Sequence, residues 1–171
     1  LLRHIAAYDG PDVTLSWTWQ HQKYTDMEAF YRMGHARNYE EFAAAVGLIT
    51  SPGLNISYAA QNGDIAWWAA GLIPVRPPHV NSKRLLDGAS GNDEILGFVP
   101  RALTPHLKNP ESGYIVTANN LTTTQPVGDV RLLEGYWQPG DRAARIRQLL
   151  LERDGWTLQD MRYLQTDATA H

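Results

Sequence analysis

The stretch "LNISYAAQNGDIAWWAAG", residues 54 to 71, decides the first piece of the fold. Two apolar runs flank Asn62-Gly63, a pair whose tolerance of positive φ suits the tight turn that matches strand twist. The reading is a β-hairpin. Trp67 and Trp68 are adjacent, so on a strand they must face opposite sides of the sheet, and both faces are expected to be covered. A stacking platform for a ligand is the other reading, and buried indole is the ordinary one.

Toward the N-terminus, "VTLSWTWQ" (13 to 20) alternates Val13, Leu15, Trp17 and Trp19, as a half-buried strand does. Thr25 with Glu28 three residues on has the form of a capping box, and Met27, Phe30 and Tyr31 then recur at helical spacing. Asn38 with Glu41 repeats the start signal, so two helices joined near Arg37 and Asn38 are expected rather than one long helix. Ser51, Pro52 and Gly53 break the pattern.

Toward the C-terminus, residues 74 to 110 hold most of the prolines and little periodicity, which predicts a long connection instead of regular elements. "GYIVTANN" (113 to 120) then reads as a strand ending in two amides. Asparagine is a poor strand former because its amide competes for backbone hydrogen bonds, so the pair marks a turn, a cap or a polar site. A loop with a short helical turn follows. Asp141 is expected to cap a helix whose stripe is Ile146, Leu149 and Leu150, and Thr157 with Asp160 opens a last one. No internal repeat or domain boundary divides residues 1–171.

Composition removes several classes of function. The chain has 171 residues, 43% of them hydrophobic, enough for one core or for a piece of something larger. A net charge of -3 offers no basic field for nucleic acid. No run approaches the roughly 18 apolar residues of a membrane span, and no signal-peptide pattern is present. There is no cysteine, so thiol nucleophiles, disulfides and thiolate zinc sites are all excluded. His4, His21, His35, His79, His106 and His171 never fall at the spacing that places two imidazoles on one helical face, and each reads as a surface or packing histidine. The opening "LLRHIAAYDG" and the ending "LQTDATAH" read as cut ends, so an excerpt of a longer chain is expected.

The succession "ARNYEEF", "NISYAAQNGDIAWWAAGLIPVR", "NPESGYIVTANN", "GYWQPGDRAARIRQLL" and "TLQDMRYLQ" resembles the β-chain of the penicillin amidase family, also called penicillin acylases, from about residue 27 to 167. The resemblance implies an α+β fold, part of the αββα sandwich of N-terminal nucleophile hydrolases, with antiparallel strands and packed helices. It implies an amide hydrolase made by self-cleavage of a precursor, whose β-chain begins with the nucleophilic serine. The serine's own α-amine, with an unperturbed pKa near 8, serves as its base. Leu1 stands first here, so that serine and the early oxyanion-hole segment are expected in other parts of the precursor. The partners implied are the rest of the β-chain, the α-chain and a small N-acyl substrate. No cofactor is needed for the chemistry, and family members are typically exported to the periplasm or secreted.

By that resemblance Asn119 aligns with the asparagine that donates to the tetrahedral oxyanion, and Arg142 with the arginine near the nucleophile and its amine. A neutral amide donates without titrating, and a fixed cation disfavours protonation of the neighbouring amine. Without the resemblance, Asn119 reads as a turn or cap and Arg142 as a helix-surface cation. Asn120 is the control, expected to stabilise the turn, while Arg145 and Arg147 read as solvated. The family also commonly binds a structural calcium, and Asp129 falls near one of its carboxylates; a solvated loop aspartate is the plainer reading. The alternative to the hydrolase is a non-catalytic binding module on the same scaffold, working through Trp67, Trp68, Trp137 and Tyr136.

Overall fold

The structure is a computed structural model that describes residues 10, 12–21, 23–131, 133 and 135–169, without the side chain of His21. The opening "LLRHIAAYD" and the sequence readings of His4, His21 and His171 lie outside what is described.

The hairpin forms as read. Strand β1 (Leu54–Ala59) pairs antiparallel with β2 (Ile65–Ala70), with Leu54 opposite Ala70 and Ile56 opposite Trp68. The loop is longer than a two-residue turn. Ala60 N–H donates to the Asp64 carbonyl at 2.9 Å, which leaves Gln61, Asn62 and Gly63 as a three-residue loop. Only Gly63 takes positive φ, +91°, the left-handed last position that such loops require. Asn62 instead accepts from Asp64 N–H through Oδ1 at 3.1 Å.

Helices α1 (Asp26–His35) and α2 (Tyr39–Val46) are separate, as the two start signals predict. Asn38 caps α2 by accepting from Glu41 N–H at 2.8 Å. Thr25 does not make its capping box; its hydroxyl donates to the Leu48 carbonyl at 2.5 Å instead. Asp26 reaches the same loop, accepting from Thr50 N–H at 2.6 Å and from Ser51 N–H at 3.2 Å. Burial pushes the Asp26 carboxyl up, but the Thr50 hydroxyl and these two N–H donors outweigh it and hold it below the ordinary value. The two ends of the helical pair are thus pinned together beside the sheet.

Both helices cover one sheet face. Ala66, Trp68 and Ala70 of β2 pack with Ala29 of α1 and with Val46 and Ile49 at the end of α2, and Leu54, Ile56 and Tyr58 join from β1. Trp68 is 9% exposed and stacks on Tyr39 at 5.6 Å, with Phe42 at 5.8 Å. Trp67 faces the other way, 4% exposed, its indole N–H donating to Asn55 Oδ1 at 2.8 Å. Segment 114–122 shares a cavity wall with Trp67 and Leu107, so the second face is also covered. The period-2 argument from adjacent tryptophans holds on both sides.

Three local readings are corrected. Residues 13 to 20 form no strand: Thr18–His21 is a 3₁₀ turn, and Trp17 and Trp19 lie against each other at 4.6 Å. That contact needs a folded-back chain, because i and i+2 side chains on a strand stand about 7 Å apart. The connection 74–110 contains β3 (Pro74–Val75) paired with β4 (Gly97–Phe98), and β5 (His106–Lys108), which completes the sheet in the order β1-β2-β5. These strands of two or three residues are too short to show a period. Finally, "GYIVTANN" belongs to no strand, since no neighbouring strand pairs with it among the described residues.

Helix α3 (Asp141–Leu151) starts one residue earlier than the cap reading allows: Gly140 is the N-cap, and Asp141 is the first helical residue without a side-chain cap bond. Helix α4 (Leu158–Gln165) has the full capping box between Thr157 and Asp160. Arg145 of α3, read as solvated, is paired with Asp167 at 2.7 Å, which fastens the chain after α4 back onto α3. That guanidinium and Thr169 N–H hold the Asp167 carboxyl down at about 2.

Candidate active site

Asn119 is exposed on a backbone of φ +60°, a region that asparagine tolerates better than other residues with a Cβ. It is not packed in the interior. Three contacts hold this uncommon conformation. The Asn119 carbonyl accepts from Gln138 N–H at 2.9 Å, and Arg142 reaches back from the first turn of α3 with Nη2 at 2.7 Å from the Ala118 carbonyl. The same Nη2 lies 3.0 Å from Asn119 Oδ1.

A guanidinium has hydrogens to donate and no lone pair to accept with, so only the amide oxygen can face it. The Asn119 Nδ2 is thereby turned away from Arg142, and it makes no hydrogen bond among the described residues. An exposed, oriented and unspent donor is the chemical product of this arrangement. Asn120, with the same side chain, is spent locally: its Oδ1 accepts from Ala118 N–H at 3.1 Å and its Nδ2 donates to the Leu121 carbonyl at 3.1 Å. The pair thus divides into a donor aimed outward and a brace for the turn.

The structure brings Asn119 and Arg142 together and leaves Asp129 apart from them. Asp129 sits exposed beside Gly128 at the tip of a tight turn closed by Val127 N–H to the Val130 carbonyl at 2.8 Å and Val130 N–H to the Val127 carbonyl at 3.0 Å. Among the described residues no group of three or more His, Asp or Glu gathers to hold a metal ion. One carboxylate is a poor match for calcium, which takes six to eight oxygen ligands. The residues present therefore do not make a calcium site by themselves. His79 is engaged by Asp93 at 2.9 Å, and the rings of His35 and His106 by the Tyr31 and Thr104 carbonyls.

Sequence reasoning missed the part played by Gln138, whose backbone anchors Asn119. Pro139-Gly140, which ends that loop just before α3, was the available signal. Burial of Trp67 and Trp68 removes both from the aromatic surface that a binding module would present; Tyr136, at 83% exposed, and Trp137 stay accessible.

A sequence profile of the penicillin amidase family matches residues 3–171. The chain is 30% identical over 150 residues to penicillin G acylase of Escherichia coli, covering 86% of this chain and 16% of that protein. It is 29% identical over 146 residues to the acyl-homoserine lactone acylase QuiP of Pseudomonas aeruginosa, covering 84% of this chain and again 16% of the relative. A thermostable penicillin G acylase structure from Alcaligenes faecalis superposes with a TM-score of 0.69 at 25% identity, over 82% of this chain and 24% of that one. The mixed helix and antiparallel-sheet architecture is therefore that of an N-terminal nucleophile hydrolase, as the resemblance implies. The chain belongs to the penicillin amidase family. It spans about a sixth of the length of these curated relatives.

Proposed function

We propose that these residues are part of the β-chain of an amide hydrolase that removes N-acyl groups, with Asn119 donating to the oxyanion and Arg142 fixing that donor. The attacking serine and its α-amine would come from another part of the same precursor. The observation that carries this reading is the single guanidinium nitrogen shared by the Ala118 carbonyl and Asn119 Oδ1, which leaves Nδ2 as a pre-oriented donor. Negative charge develops on the carbonyl oxygen as an amide is attacked, and a donor already in place stabilises it without reorganising. Relatives act on penicillin G and acyl-homoserine lactones by their names, so a small N-acyl compound is the substrate class. The periplasm or the outside of the cell, the usual location of the family, is the proposed compartment. A calcium ion, as bound elsewhere in the family, would need most of its oxygen ligands from beyond the described residues.

Arg142 has a second role in this reading. Its fixed charge near the nucleophile's amine would keep that amine unprotonated to lower pH. Arg142→Gln in the full-length parent should then lower kcat roughly tenfold, the effect of losing charge-assisted bonds that hold the donor. Removing the cation raises the amine pKa, so the acid limb of kcat/KM should move to higher pH by about one unit. A merely structural arginine would lower stability and leave the pH profile in place; that result would end the assignment.

A further inference from the structure

Two donors hold the Asn119 backbone, one on each side of its Cα. Its φ depends on how the Ala118–Asn119 peptide plane is turned, and Arg142 fixes that plane through the Ala118 carbonyl at 2.7 Å. Its ψ depends on the next peptide, whose carbonyl takes the Gln138 N–H at 2.9 Å. The first donor stands on a helix, α3. The second follows a stretch with little to hold it: among the described residues, positions 133 to 137 lie in no helix or strand and make no backbone-to-backbone hydrogen bond. What closes that stretch is the Trp137 side chain, whose indole N–H donates to the Leu133 carbonyl at 3.2 Å. The same edge of the ring lies against Gly135, where an added Cβ would stand 3.2 Å from Cε2 and 3.3 Å from Nε1. Pro139 restricts Gln138 to extended backbone, so the place of the Gln138 N–H follows from that of Trp137.

We propose that Trp137 is a positioning residue for the oxyanion donor: its indole braces residues 133 to 137 so that Gln138 N–H meets the Asn119 carbonyl and Nδ2 keeps its aim. The inference rests on the proposed role of Asn119. The direction of the Asn119 side chain turns with φ and ψ, and φ +60° is a conformation that persists only where surrounding contacts impose it. With the Gln138 bond slackened, Arg142 alone would hold one peptide plane and the amide oxygen, leaving the other plane free to swing. A donor that moves by roughly 1 Å loses much of its value, since misplacement on that scale costs up to about 10²-fold in rate. The role belongs to the edge of the indole that carries the N–H, not to the face of the ring.

Two substitutions in the full-length parent test the brace. Trp137→Phe keeps an aromatic ring without the N–H, and Gly135→Ala keeps the tryptophan but makes it give way to the new Cβ. Each should lower kcat roughly five- to tenfold per titrated active site, with KM held within about twofold. Because the brace works only through Asn119, adding either change to Asn119→Ala should cost less than about a further twofold. Equal losses in the wild-type and Asn119→Ala backgrounds would overturn the proposal, because the substitutions would then act on the fold at large. Trp137 also lines a cavity of about 470 Å³, and a residue that served only as its wall would show its loss in KM at unchanged kcat, which would overturn the proposal as well. Should Trp137→Phe yield no mature protein, the Gly135→Ala pair decides by the same criteria. Full turnover by Asn119→Ala alone would end the proposed function and this inference with it. A slow Asn119→Ala beside Trp137→Phe or Gly135→Ala of undiminished kcat would sink this inference only.

Discussion

Asn119→Ala in the full-length parent is expected to reduce kcat by about 10²–10³, equivalent to about 2.7–4 kcal/mol of barrier, with KM nearly unchanged. The size follows from when the bond matters. A ground-state amide carbonyl takes little from the Nδ2 donor, whereas the tetrahedral oxyanion takes a full charge-assisted bond, so the loss falls on the chemical step. Asn119→Asp separates the donor from the scaffold. An aspartate keeps the shape and would bind the Arg142 guanidinium more tightly than the amide does, yet it has no N–H and adds a negative charge where one must form. The Asp variant should therefore be as folded as wild type and at least as slow as the Ala variant. Full turnover in either protein would remove Asn119 from the chemistry.

The second large effect lies in the core. Trp68→Ala should destabilise the parent by about 3–5 kcal/mol, measured from the denaturant midpoint at unchanged slope. The indole lies between the sheet and the helical pair and stands against the Tyr39 and Phe42 rings, so its removal leaves a space in this interface. Against a typical domain stability of about 5–15 kcal/mol, this is a large share. Trp68→Phe keeps most of the buried area and should cost clearly less. A loss below about 1 kcal/mol for the alanine variant would mean that the helical pair does not rest on this face of the sheet.

The elements legible in the sequence were those whose signals are local. Asn62-Gly63 between apolar runs announced the hairpin, Asn38 with Glu41 the start of α2, and Thr157 with Asp160 that of α4, because each partner lies within a few residues. Thr25 carried the same kind of signal and failed, since the Leu48 carbonyl, 23 residues away in sequence, competes for its hydroxyl. The alternation in 13 to 20 misled for a related reason: period 2 reports a strand only where a neighbouring strand exists to fix it. At the site, the roles expected of Asn119 and Arg142 came from family resemblance. Their bond to each other spans 23 residues, and no spacing rule links a strand-like end to the first turn of a later helix. Short strands such as β5 exist through their pairing with β2 alone, which leaves no mark on composition.

The hairpin has one more implication. The middle of β2, Ala66-Trp67-Trp68-Ala69, reads the same in both directions and only its ends, Ile65 and Ala70, differ, so shifting the strand by a single position would exchange one indole for the other and leave each side of the sheet with nearly the same inventory. Hydrophobic content is then almost blind to that error. The decision falls to small polar fixtures, the Asn55 carboxamide that recognises only Trp67 and a loop whose length is set by one glycine, and a chain lengthened or shortened there would be free to settle upside down instead of failing to settle at all.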